Sequence, residues 1–252
     1  MRQDLAQAWR ARPVGSAASD IDLVFDPQDR PGTVTSLLAA CVSDVQGEPV
    51  GLDEAWDWTL NQRLQALLAM RLASNDTDVE LQASCGQCGE TMAMQLDLRA
   101  FASEPVAPRF TWHGEDGLAL GLRLPCGRDL QAWMSEDARS QEVLVSSLIE
   151  SVAGPATALS ELLPALDDAF EVHDPLTALR LHTACPACGH DNDVTCDLEG
   201  LLIDGFKRSQ AAMLDDVVRL ASAFHWREAD ILALPSWRRA HYLRQVTAGD
   251  WA

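Results

Sequence analysis

The sequence predicts an α+β fold in which two cysteine-bearing β-hairpins meet around one metal as a zinc-ribbon-like unit. A hairpin-plus-helices segment is inserted between them, with helical regions on either side. Three observations predict this. A Cys-x-x-Cys-Gly pattern occurs twice, 100 residues apart, as Cys85-Gly86-Gln87-Cys88-Gly89 and Cys185-Pro186-Ala187-Cys188-Gly189. Each copy lies between alternating apolar stretches and closes, eight residues after its second cysteine, on Leu96-Asp97-Leu98 or Cys196-Asp197-Leu198. Outside these units the apolar residues recur at helical spacing.

Taken in order, residues 1–20 are rich in Ala, Arg and Ser and read as a flexible lead. Residues 21–76 form an N-terminal helical region. Ile21 to Phe25 alternates briefly before the turn residues Asp26-Pro27 and Arg30-Pro31-Gly32, and Thr33 to Val42 suits a short helix. Asp53 is a good N-cap for a helix carrying Trp56, Leu60, Leu64, Leu67, Leu68 and Leu72. Ser74-Asn75-Asp76 ends it.

Residues 77–203 read as the zinc-stapled α+β domain. Val79, Leu81 and Ala83 alternate into the first knuckle, and Met92, Met94, Leu96 and Leu98 alternate out. Leu179, Leu181 and Thr183, then Val194, Cys196 and Leu198, do the same for the second. Between them, Phe110 and Trp112 lead into Gly114-Glu115-Asp116-Gly117, a favoured hairpin turn, and Leu118 to Leu124 alternate away. Helices are predicted over about 129–152 and 159–170, parted by Gly154-Pro155. Residues 204–252 form a C-terminal helical segment. Leu214, Val217, Val218, Ala221 and Phe224 make an apolar stripe, a short helical turn spans Asp230 to Leu234, and Ser236 caps a last helix through Val246.

A Cys-x-x-Cys-Gly turn points two sulfurs one way, and zinc takes four ligands in a closed tetrahedron. The favoured reading is therefore one structural zinc held by Cys85, Cys88, Cys185 and Cys188. It would close the 96 residues between Cys88 and Cys185 into a loop. Three alternatives stand beside it: separate zincs with His190 and Cys196 recruited in the second copy, a redox dithiol, or ordinary buried cysteines. A redox motif normally opens a helix in a βαβ unit, whereas these sit inside hairpins. Cys41, Cys126 and Cys196 fall in apolar or turn contexts that suit core thiols. No phosphate loop, nucleophile elbow or carboxylate–histidine metal motif is present in the sequence, so no catalytic residue is assigned.

The net charge of −19 argues against nucleic acid and anionic membrane as partners, both of which need a basic footprint. The acidity is uneven: 32 acidic and 12 basic residues precede Asp204, and six acidic and seven basic residues follow from it. No apolar run approaches the roughly 18 residues of a membrane span. Met1-Arg2-Gln3-Asp4 opens no signal-peptide stretch, so a cytoplasmic location is expected, at least until assembly into something larger. The odd count of seven cysteines speaks against full disulfide pairing.

The string from Val217 through Trp226 to Ile231-Leu232-Ala233-Leu234-Pro235, followed by Arg238-Arg239 and Tyr242-Leu243, resembles a recurrent ending. It is similar to that of baseplate hub and tail-assembly proteins of contractile phage tails and extracellular contractile injection systems. Leu124-Pro125 with Arg128-Asp129-Leu130, Asp174-Pro175 ahead of Cys185-Pro186-Ala187-Cys188-Gly189-His190, and Asp197-Leu198 resemble further family segments in the same order. The first knuckle departs from the pattern in lacking a proline after Cys85.

The resemblance runs over about residues 53–246. It implies a non-enzymatic component of a T-even-phage-like baseplate, either an assembly chaperone or a minor structural subunit, with tail or hub proteins as partners. Trp226, Trp237, Arg238, Arg239 and Tyr242 are the candidate partner-binding residues, since interface hot spots favour Arg beside aromatics. A zinc-ribbon interaction or regulatory module and a thiol oxidoreductase are the rival readings.

Overall fold

The computed structural model describes residues 9–103, 106–114, 117–135, 140–155 and 157–248. The first elements among the described residues are β1 (Trp9–Ala11) and a 3-10 turn at Ala18–Asp22. There follow α1 (Arg30–Cys41), β2 (Val42–Asp44), α2 (Leu52–Asp57) and α3 (Leu60–Ala73). The first knuckle hairpin is β3 (Asp78–Ser84) and β4 (Thr91–Asp97). The insertion holds β5 (Arg109–His113), β6 (Ala119–Arg123), α4 (Gly127–Ser135), α5 (Gln141–Ser146), β7 (Ile149–Ala153) and α6 (Leu159–His173). The second knuckle hairpin is β8 (Arg180–Ala184) and β9 (Asp191–Thr195), and α7 (Leu198–Phe224), α8 (Glu228–Leu232) and α9 (Ser236–Ala248) follow.

The two knuckle hairpins repeat each other in register. Ser84 pairs with Thr91 and Leu81 with Met94; Ala184 pairs with Asp191 and Leu181 with Val194. Both copies close on an Asp-Leu that starts a helix. Asp97 accepts from the Arg99 N–H at 2.9 Å, and Asp197 accepts from the Gly200 N–H at 3.0 Å. The first start runs only through Phe101, in a stretch heading to Pro105, whereas the second opens the 27-residue α7. That helix runs unbroken through Asp204 and buries Leu202, Ile203, Phe206 and Met213.

The main core lies between α1, α3 and α7, and the inner faces of both hairpins lean on it through Val79, Leu81, Leu96, Leu179 and Leu181. At its centre is a cation. Arg63 is fully buried and donates to the carbonyls of Pro31 (2.7 Å) and Ala55 (2.8 Å) and to the Thr35 hydroxyl (3.0 Å). Its guanidinium also lies 5.5 Å from the Trp56 ring, and burial pushes it down to about 10. A second core sits where the sheet β5-β6-β7 packs on α5 and α6, with Leu118, Leu120, Leu122 and Leu166 buried and Phe110 edge-on to Phe170 at 5.3 Å.

Several elements differ from the sequence expectation. Within the expected flexible lead, the described residues Trp9 to Asp20 are held in place: β1 pairs with β2, and buried Asp20 takes a bidentate ion pair from Arg12 at 2.7 Å. The helix expected from Asp53 through Leu72 breaks at Trp58, because Thr59 and Gln62 form a capping box and the chain there pairs with Pro125-Cys126. Asp53 is therefore inside α2 rather than at its cap, where it receives Arg128. The helix expected over 129–152 ends in a strand. Residues 149–153 add to the open edge of β6, where the β-branched Ile149 and Val152 fit a pleated ladder better than a helix. The Asp116-Gly117 turn lies partly outside the described residues. On α7, Met213, Val217 and Leu220 face inward while Leu214 and Val218 are exposed, since α8 and α9 cover one side only.

Candidate metal centre and docking surface

The tips of the two knuckle hairpins bring Cys85, Cys88, Cys185 and Cys188 together. Their four Sγ atoms lie within 4.8 Å of one another. Cys85 to Cys188 and Cys88 to Cys185 are each 3.7 Å apart, far beyond a disulfide bond, and all four are free thiols. A tetrahedron with Zn–S near 2.3 Å has S···S edges of about 3.8 Å. The cluster can thus hold one metal ion, with every coordination position taken by sulfur.

Local backbone explains the aim of the sulfurs. In each copy the first cysteine closes the turn twice: Cys85 N–H donates to Glu90 O at 2.8 Å and Gly89 N–H returns to Cys85 O at 3.0 Å. Cys185 does the same with His190 and Gly189, both at 2.8 Å. Gly89 and Gly189 share φ of 74°, the left-handed region where a side chain would be strained. Cys85 and Cys185 are buried, with Met92, Ala83 and Val194 around them, while Cys88 and Cys188 are exposed.

Electrostatics at the cluster favours a shared charge. The backbone N–H groups of Cys88 and Gln87 hold the Cys85 thiol down to about 6. Cys88 accepts from the Glu90 N–H, yet the neighbouring thiols push it up to about 12. Four thiolates so close repel one another, and a dication removes that repulsion.

The hairpins are also pinned to each other by protein atoms. Asn192 Oδ1 accepts from the Gly86 N–H at 2.9 Å across the junction, and its Nδ2 donates to His190 O at 2.8 Å. Sequence reasoning did not single out Asn192, although the 100-residue offset sets it opposite Met92 and sets Gly86 opposite Pro186.

The other cysteines stand apart. Cys196 is buried in the main core, and among the described residues only the four knuckle cysteines form a metal-sized group. Burial pushes the Cys41 thiol up to about 11 and raises Cys126 and Cys196. His182 turns its Nδ1 to Asp193 on the neighbouring strand.

The remaining candidate residues divide. Trp226 stacks on Phe224 at 4.7 Å and meets Tyr242 edge-on at 5.1 Å, so both belong to the apolar contact of α7 with α8 and α9. Arg239 is buried and donates to Gly15 O at 3.0 Å. Expected on an exposed docking face, Arg239 instead anchors α9 to the N-terminal segment. Trp237 and Arg238 do face solvent, with the guanidinium 5.3 Å from the indole ring.

The segments that carried the resemblance are structural joints. Asp129 accepts from the Cys126 N–H and pairs with Arg123 at 2.6 Å, and Arg128 reaches Asp53 and Asp57 on α2. Asp174 is buried and accepts from Asn61 Nδ2 at 2.8 Å, tying the end of α6 to α3. Asp197 takes the two terminal Arg30 nitrogens and Glu199 the Nε, joining α1 to the start of α7.

Geometry defines the class first: a mixed helix-and-sheet protein whose two halves are joined by a four-thiol cluster able to hold a metal ion. The chain belongs to the T4 bacteriophage base plate protein family, whose model matches residues 23–202. The match takes in all four cysteines and ends inside α7, leaving the C-terminal pattern outside it. No curated protein and no solved structure matches. No helix among the described residues is long and apolar enough to cross a membrane.

Proposed function

We propose that this chain is a non-enzymatic structural component of a contractile-tail baseplate, stabilised by one structural zinc and bound to other tail proteins. The observation that carries this reading is the family match over residues 23–202. The four-sulfur cluster supports it, because a metal closed by four thiolates has no position for water or substrate and acts as a cross-link. The acidic surface, at net −19, suits protein partners better than nucleic acid. Trp237 with Arg238 is the exposed docking element of the C-terminal segment.

The reading is tested by quantifying the chain in purified, fully assembled tail particles and in assembly intermediates. Stoichiometric recovery from finished particles supports a resident subunit. Recovery from intermediates alone would make it an assembly chaperone. Absence from both would refute a baseplate role.

A further inference from the structure

Beside α6 the surface holds a cleft of about 580 Å³, within the roughly 300–1,000 Å³ of ligand-sized sites. Its floor is apolar: Leu124, Val145 and Leu148 are buried, with Leu144 and Phe170 beside them. Its wall is acidic. Among the described residues, Asp167, Asp168, Glu171 and Asp174 line it against one cation, Arg180, already held by Glu171 at 2.7 Å. Asp167 accepts from Gln141 and Asp174 from Asn61, but among the described residues no cation pairs with Asp168. An apolar floor beneath carboxylates is complementary to an apolar side chain flanked by guanidinium groups.

This chain presents such a surface on α9. Trp237 is 66% exposed, the one aromatic among the large exposed apolar side chains of the described residues. Arg238 lies beside its ring, and His241 and Arg244 follow at i+4 and i+7 on the same solvent-facing side. That helix face joins an aromatic anchor to basic groups and carries no acid, the opposite balance to the cleft.

We propose that a second copy of this chain is the occupant of the cleft, inserting its Trp237–Arg238 face between the apolar floor and Asp168. The proposal rests on reading Trp237 and Arg238 as a docking element and names their partner. Because the cleft and the helix face are different surfaces, the contact closes reciprocally in a dimer or runs head to tail around a ring.

The test is light scattering on the full-length protein across a concentration series. The expected mass rises with concentration above the 27.5 kDa of one chain. Trp237→Ala, Arg238→Glu and Asp168→Arg each weaken association at least about tenfold. The Arg238→Glu/Asp168→Arg double variant recovers it, because the pair is re-formed with its charges exchanged. All three positions are solvent-exposed, so unchanged circular dichroism and thermal unfolding confirm that each variant is folded. A chain that stays monomeric throughout, or one whose association ignores all three substitutions, would overturn the proposal. Incorporation of Trp237→Ala into tail particles is read separately. Its loss while the free protein is monomeric would keep the docking reading and reject the second copy as partner.

Discussion

Asn192 Oδ1 receives the Gly86 N–H at 2.9 Å across the junction of the two knuckles. The repeat would place the mirror bond between Met92 and Pro186, and neither residue can make it: Pro186 has no N–H and Met92 has only a weak sulfur acceptor. The departure from proline at Gly86 and the presence of asparagine at 192 are thus two halves of one adjustment.

Asn192→Ala should cost about 1–3 kcal/mol, the penalty of stranding the Gly86 donor in a half-buried site. Gly86→Pro removes that donor. A Cβ there meets only Asn192 Oδ1, at an ordinary 3.7 Å. The double variant should therefore be more stable than Asn192→Ala alone, a coupling read from urea unfolding of the four members of the cycle. Strict additivity would show that the contact carries no energy.

The four-thiol cluster makes a stoichiometric claim. Elemental analysis of freshly purified protein should give one zinc per chain, and Cys85→Ser should lose it. Cys196→Ser, in the main core, should keep it. Two zincs in the parent, or an unaffected one in Cys85→Ser, would break the shared-site assignment. Chelation should lower the thermal midpoint of the parent and leave that of Cys85→Ser unmoved.

Arg63 is a cation serving three oxygen acceptors inside the core. Arg63→Ala should destabilise the chain by about 3 kcal/mol or more, combining unpaired acceptors with a cavity. Arg63→Lys should recover only part of this, because a single ammonium cannot span acceptors that a planar guanidinium reaches together. Chemical denaturation of the two variants measures both losses, and equal stability of Lys and Arg would reject the multidentate role.

Acid stability should depend on Asp129. Burial pushes its carboxyl up, but Arg123 and the Cys126 N–H outweigh that and leave it below the ordinary value. A carboxylate depressed in the folded chain stabilises above its unfolded pKa of about 3.9 and loses that contribution as pH falls through the folded value. The stability gap between parent and Asp129→Asn should be full near pH 7 and shrink as pH falls below the unfolded pKa and through the lower folded one. A gap that stays constant over this range would show that the charge of Asp129 is irrelevant.

What was legible in the sequence is what is local. The knuckle hairpins, the β5–β6 pair and α6 follow from alternation, turn residues and helical periodicity over a few residues each. The four cysteines that cluster could be named because each copy carries half of the group with its spacing intact. Elements decided by distant partners were not legible. Ile149–Ala153 is a strand because β6 offers it an edge, and Thr59 interrupts a helical pattern because Gln62 and Pro125 satisfy the freed backbone. Periodicity also placed Leu214, Val217 and Val218 on one stripe, but it could not tell how wide a face α8 and α9 would cover. Arg63 and Asn192 look like ordinary polar residues until three-dimensional neighbours surround them.

The 100-residue offset between the knuckles also sets a clock. At a ribosomal pace of about 5–20 residues per second, Cys85 and Cys88 are made roughly 5–20 s before their partners. Through that interval the nascent chain carries half of the four-thiol cluster, and the first hairpin has no counterpart for Gly86 to bond. Closure of the centre is thus a late event that reports completion of the whole inserted segment. A chain truncated before residue 185 cannot assemble the four-thiol cluster, however well its helices have formed.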